Sequence, residues 1–161
     1  MKYLSSIYLV LIGSNLFVWY WIFNGSTPSD LNLYFLDVGQ GDSELLKLPG
    51  GVKVLIDGGP GKAVLGELAR ALPATERYID LVMLSHPQLD HFTGLISVME
   101  RYKIGAFIYN GREGETTAWR DLKRVLEEKK INVLILAEGD KIKYSGTEFD
   151  FFVARRRIVG Q

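Results

Sequence analysis

Read as a pattern of apolar and polar positions, the chain divides at one polar break. Residues 3–23 carry no charged side chain and are dominated by Ile, Leu, Val, Phe, Tyr and Trp. About 20 such residues suffice to cross a bilayer as a helix. Tyr8 and the Trp19-Tyr20-Trp21 cluster include aromatics of the kind that settle at a membrane interface. Ser5, Ser6, Ser14 and Asn15 make the run less apolar than a strong span. A secretory signal peptide is the competing reading, because Lys2 precedes the run, but no small-residue cleavage pattern follows its Trp-Ile-Phe end. The expectation is an uncleaved single-pass anchor over residues 1–23 in the cell membrane. Lys2 favours a cytoplasmic N-terminus and an extracytoplasmic domain. Residues 24–30, N-G-S-T-P-S-D, then read as a linker.

Beyond the break the pattern is that of a layered domain, residues 31–153. Residues 31–38 (L-N-L-Y-F-L-D-V) predict a strand, followed by the G-Q-G-D turn at 39–42. Residues 43–48 and 52–56 predict a hairpin pair around Pro49-Gly50-Gly51. Residues 62–72 place Val64, Leu65, Leu68, Ala69 and Leu72 on a helical stripe that Pro73 ends. A short apolar strand, 79–84, leads into a polar loop, and a helix capped by Thr93 carries Leu95, Val98, Met99 and Tyr102 inward. A strand at 106–109, a helix at 117–130 with Trp119, Leu122, Val125 and Leu126 on one face, and a strand at 132–136 follow. Residues 141–144 and 148–153 alternate as a hairpin, and 154–161 read as an unstructured tail. Arg155, Arg156 and Arg157 in that tail read as solvated charge before they read as a nucleic-acid patch. Strands first and then helices alternating with strands predict an α/β domain with a mixed sheet and flanking helices.

Composition narrows the chemistry. A length of 161 residues bounds the chain to one domain. Its formal net charge of zero supplies no overall basic field for nucleic acid, so any action on DNA must rest on a local site. The absence of cysteine excludes disulfides, thiolate metal sites and cysteine nucleophiles.

The candidate chemistry lies in residues 85–94, S-H-P-Q-L-D-H-F-T-G, which hold both histidines of the protein. His86 and His91 are five residues apart, about 500° of helical rotation, so one helix could not present both on one face. Pro87 also turns His86 away from helical geometry. A loop at a strand end lets His86, Asp90 and His91 converge, and two imidazoles with a carboxylate suit a divalent metal. The bland alternative is two histidines in a polar strand-to-helix loop. Asp57, in D-G-G-P-G at the end of the second hairpin strand, reads alone as a turn residue.

Three signatures line up: F-L-D-V-G-Q-G-D-S at 35–43, L-I-D-G-G at 55–59, and the histidine loop. Together they resemble the metallo-β-lactamase fold superfamily. More narrowly, they are similar to the exported hydrolase domain of the DNA-internalisation competence protein ComEC and its stand-alone relatives. The resemblance covers residues 31 to about 153 and implies the N-terminal half of an αββα sandwich. Its motif is H-x-H-x-D-H, with aspartate often replacing the second histidine in the ComEC branch. His86 matches the first position, Asp90 and His91 the last two, and Gln88 stands where neither expected residue is present. The resemblance implies that His86 serves one metal of a two-metal site. Asp90, which it places among the catalytic residues, serves the other with His91. Asp57 would orient the loop, with Asp37, Gly39, Gln40, Gly41, Asp42, Gly58 and Gly59 in supporting turns.

The implied cofactor is zinc or manganese, one or two ions, weakly held where the second half is absent. Gln88 could add an amide oxygen, which suits harder ions such as manganese or magnesium. The implied activity is membrane-anchored, metal-dependent hydrolysis of phosphodiesters, namely DNA during uptake. The implied partners are the membrane, DNA, and a second copy or another chain that completes the sandwich. No histidine follows His91 to supply the second half's ligands. The expectation is accordingly a truncated or frameshifted product, and the alternative to an enzyme is an inactive half-domain, at most a binding module.

Overall fold

The computed structural model describes the backbone of residues 2–24, 30–136, 139–144 and 147–150, and the side chains of residues 6–22, 30–136 and 139–143. Strands β1 (Asn32–Phe35), β2 (Glu44–Lys47) and β3 (Lys53–Ile56) form an antiparallel meander in which Asn32 pairs with Lys47 and Glu44 with Ile56. The turn between β2 and β3 needs its glycines, since Gly50 (φ 84°) and Gly51 (φ 82°) are both left-handed.

From β3 onward the sheet is parallel, adding β4 (Tyr78–Leu84), β5 (Lys103–Tyr109) and β6 (Asn132–Ile135) in chain order. The crossovers are α2 (Ala63–Ala71), α3 (Leu89–Arg101) and α4 (Thr117–Glu128). Because each links neighbouring parallel strands, right-handed connections put all three on one face, where α3 packs between α2 and α4. The result is an α/β fold with a mixed sheet and flanking helices. A separate antiparallel pair follows, β7 (Lys141–Tyr144) with β8 (Thr147–Asp150). The turn at 145–146, residues 151–153 of the expected last strand, residues 25–29 of the linker and the tail at 154–161 lie outside the described residues.

Packing follows the apolar stripes. Val64 and Leu68 of α2, Leu95, Val98 and Met99 of α3 with the flanking Tyr102, and Trp119, Leu122, Val125 and Leu126 of α4 are buried against Leu45, Leu55, Ile79, Val82 and Phe107. Phe92 is fully buried and meets Trp119 edge to face at 5.4 Å between ring centroids. The other sheet face is covered more thinly: Leu48, Val52 and Val54 are buried, while Leu46, Ile56, Leu81 and Met83 are only partly so.

Two expectations are corrected. Thr93 does not cap α3, which starts at Leu89 with Gln88 as the N-cap residue. Its hydroxyl instead donates to the Leu89 carbonyl (2.7 Å) and accepts from the Gly61 amide (3.1 Å). Pro87 limits the preceding residue alone, so the helix begins directly after it.

The second correction concerns the N-terminus, where α1 (Lys2–Asn24) forms a continuous helix with its described apolar side chains exposed. Among the described residues, no helix is long and apolar enough to cross a membrane. Ser14 and Asn15 interrupt its apolar run.

Phe92 joins α3 to α4 directly behind His91. Its replacement by alanine should lower the unfolding free energy in urea by about 3–5 kcal/mol. A loss below about 1 kcal/mol would contradict this packing.

Candidate metal centre

Strands β3 and β4 are parallel neighbours, so their C-terminal ends bring Asp57 and Ser85 side by side. The Asp57 amide donates to the Met83 carbonyl at 2.9 Å, and its backbone then turns left-handed (φ 53°). A non-glycine residue pays for that conformation with local strain. Here the turn aims a carboxylate, on a residue only 2 % exposed, into the histidine loop.

Three donors meet that carboxylate. The Ser85 amide donates to Oδ1 at 2.8 Å, the Ser85 hydroxyl donates to Oδ2, and His91 Nδ1 lies 2.7 Å from Oδ2. Charge-assisted bonds of this kind are what make a buried carboxylate tolerable.

Counting protons then fixes both imidazoles. A carboxylate only accepts, so His91 Nδ1 carries its ring proton. The Ser85 hydroxyl has one proton and gives it to Asp57, so toward His86 Nδ1 at 2.9 Å it accepts. His86 is therefore also protonated at Nδ1 in its neutral form. Both rings, whose centroids are 4.0 Å apart, keep Nε2 free of a proton and able to bind a metal.

The glycine signatures surround this pair. Gly58 N donates to the His91 carbonyl (2.7 Å), Gly59 N to the Asp42 carbonyl (3.1 Å) and Gly94 N to the Gly59 carbonyl (2.9 Å). A Cβ on Gly41 would stand 1.9 Å from the Asp90 carbonyl oxygen, so the G-Q-G-D turn can pass this close only as glycine. Asp37 is exposed and accepts from the Gly39 amide at 3.3 Å, and Gln40 is exposed in the same turn.

Asp57, His86 and His91 thus converge, with ligand-type atoms all within 4.8 Å of one another. Asp90 and His91 lie in the first turn of α3, not in a loop. Asp90 Oδ1 stands 4.0 Å from His91 Nε2, while Asp42 Oδ2 stands 4.0 Å from His91 Nδ1. Gln88 Oε1 lies 2.9 Å from His86 Nε2.

Three residues at the centre were not singled out from the sequence. Ser85 had one available signal, its place at the strand end beside His86. Asn110, just after β5, donates from Nδ2 to the Ser85 carbonyl at 2.9 Å and braces the loop. Glu44 carried no signal, since it sits in an ordinary strand alternation. Burial first, then the carboxylates of Asp42 and Asp57, push the Glu44 carboxyl above its usual range, and His91 partly pulls it back.

This donor set fits a divalent ion in part. Asp57 already spends both oxygens on three donors, which makes it an orienting group more than a ligand. The donors left to an ion are Nε2 of His86 and of His91, the Asp90 carboxylate and the Gln88 amide oxygen. Asp42, Glu44 and Asp90 add negative charge that a cation offsets.

The family described as the beta-lactamase superfamily domain matches residues 52–157, and the chain belongs to it. No match is found among curated proteins. Among solved structures, the chain is similar to a subclass B3 metallo-β-lactamase isolated from a soil metagenome library. That pair shows 15% identity over 74% of this chain and 48% of the other, with a TM-score of 0.52. It is also similar to a diphosphatase from the PhnP family (20% identity, 68% of this chain, 41% of that one, TM-score 0.47). A third is the metallo-β-lactamase fold protein YhfI from Bacillus subtilis (19%, 74%, 48%, TM-score 0.44). At these identities the likeness speaks to fold alone, and the chain spans less than half the length of each of these structures.

The raised Glu44 carboxyl has a pH signature. A carboxyl held higher in the fold than its unfolded value of about 4.3 costs stability only where it ionises in the fold. The cost is absent below the unfolded value and fully present above the folded one. In urea titrations without divalent ions, Glu44→Gln should match the parent below about pH 4 and exceed its stability near pH 8. A variant less stable than the parent near pH 8 would contradict the assignment.

Proposed function

We propose that this chain is the metal-holding part of a hydrolase whose substrates are phosphodiesters, with DNA the substrate class and zinc or manganese the ion. The observation that carries the proposal is the pairing of His86 and His91, whose unprotonated Nε2 atoms are set by hydrogen bonds through Ser85 and Asp57. Membership of the beta-lactamase superfamily, whose fold typically binds divalent metals, supports it. So does the D-V-G-Q-G-D turn at 37–42, which resembles the ComEC branch.

His86, His91, Asp90 and Gln88 would hold the ion, and Asp57, Ser85 and Asn110 would keep the two histidines in place. A bound divalent ion supplies hydroxide at neutral pH and polarises the group under attack. Hydrolysis is proposed for the full chain, with a second copy completing the sandwich. For α1, with its described apolar side chains exposed, a lipid surface is the proposed partner.

A second reading, a non-catalytic half-domain that at most binds, is favoured by one specific observation. Gln88 stands where the motif has a histidine or an aspartate.

Hydrolysis of single-stranded DNA by the full chain, with manganese or zinc added, separates the two. The hydrolase reading predicts metal-dependent cleavage that falls at least about 100-fold in His91→Ala. Equal activity in that variant, or none with either ion, would overturn it, whereas one tightly bound ion per chain by elemental analysis would count against the non-catalytic reading.

A further inference from the structure

Gln88 occupies an unusual position. It is the N-cap residue of α3, where a side chain ordinarily turns back onto the first helical amides, yet it makes no such bond. Its backbone carbonyl starts the helix, accepting from His91 N at 3.0 Å, while its side chain points the other way, to His86 Nε2 at 2.9 Å.

The proton count above makes that contact informative. With His86 protonated at Nδ1, Nε2 offers a lone pair, and an amide oxygen facing it would set acceptor against acceptor. Two arrangements relieve this in a neutral ring. In one, the amide is turned end for end, so that its NH₂ donates to Nε2; a half-turn about the terminal bond does this with almost no movement of heavy atoms. In the other, oxygen and nitrogen share a cation. Two neighbouring ligands each about 2.1 Å from an ion stand about 3 Å apart, which the 2.9 Å separation already matches. Gln88 is exposed, so its amide has room to turn.

We propose that Gln88 sets the ion preference of the centre by working in both senses. Without an ion its NH₂ caps the His86 ligand nitrogen; with one, the amide turns and its oxygen becomes a neutral ligand beside that nitrogen. A neutral oxygen donor beside imidazole favours a hard ion such as manganese or magnesium over zinc, relative to the histidine of the family motif. This inference rests on the reading that the histidine loop holds a divalent ion.

The test uses the full chain near pH 8. Manganese and zinc affinities are measured by competition with a chelating indicator in the parent, Gln88→Met and Gln88→His. Methionine keeps the length of the side chain without its amide. Gln88→Met should weaken manganese binding about 10-fold and zinc binding less, and Gln88→His should shift the zinc-to-manganese preference at least about 10-fold toward zinc.

A second readout follows the Gln88 side-chain amide by ¹⁵N-resolved NMR during titration with magnesium. The chain has only three glutamines, Gln40, Gln88 and Gln161. The Gln88 NH₂ signals should move as the ion binds. Unchanged manganese affinity in Gln88→Met, or Gln88 amide signals that stay fixed at magnesium saturation, would overturn the proposal while leaving the metal centre standing. If His86→Ala and His91→Ala bind these ions as the parent does, the centre itself fails and this inference with it.

Discussion

A carboxylate taken out of water keeps its charge only if the protein supplies donors in place of solvent. Asp57 receives three, from the Ser85 amide, the Ser85 hydroxyl and His91. Everything distinctive about the centre depends on this arrangement. It ties the end of β3 to the segment after β4 and draws the first turn of α3 onto both. It also decides which nitrogen of each histidine holds the proton. The cost is borne by the backbone at Asp57, whose positive φ persists because β3, β4 and α3 all constrain the residue.

Close backbone contact is the second condition. The glycine turns at 39–42 and 57–59 lie directly against α3, where amide-to-carbonyl bonds from Gly58, Gly59 and Gly94 join them. Side chains at Gly41, Gly58 or Gly94 would run into main chain or into Leu95. The buried stripe of α3 then anchors the assembly, since the helix that carries His91 also carries Phe92 and Leu95 into the core. Stability and chemistry therefore share one element, with Phe92 facing the interior while Asp90 stays toward solvent.

Much of the fold was legible in the sequence because period and turn chemistry agreed with each other. Pro49-Gly50-Gly51 marked the hairpin, and the stripes of Leu68, Leu95 and Leu122 marked the helices that cover the sheet. The start of α3 was misplaced because Thr93 has a capping side chain while Gln88, the true N-cap, does not use one. The apolar run at the N-terminus does form a helix, but among the described residues no helix is long and apolar enough to cross a membrane, and Ser14 and Asn15 dilute this one. Within the site, spacing pointed to His86, Asp90 and His91 and only the resemblance added Asp57 as the residue that orients the loop, whereas the geometry brings Asp57, His86 and His91 together. That difference follows from long-range strand pairing, which puts residue 57 beside residue 85 and which local spacing does not report. Ser85 and Asn110 were missed for the same reason, since each matters through a neighbour distant in sequence, at 57 and 85, while Glu44 matters through its burial and the carboxylates of Asp42 and Asp57.

The protonation of the two histidines tests the central claim most directly. The protein contains only these two, so a long-range ¹H–¹⁵N NMR spectrum of the imidazoles, recorded without metal near pH 8, resolves both rings. Hydrogen bonding through Ser85 and Asp57 predicts that both carry the proton on Nδ1 and leave Nε2 bare. A proton resident on Nε2 of either neutral ring would contradict the account, because Nδ1 would then bring no proton to its bond with Ser85 or Asp57 and Nε2 could not take a metal.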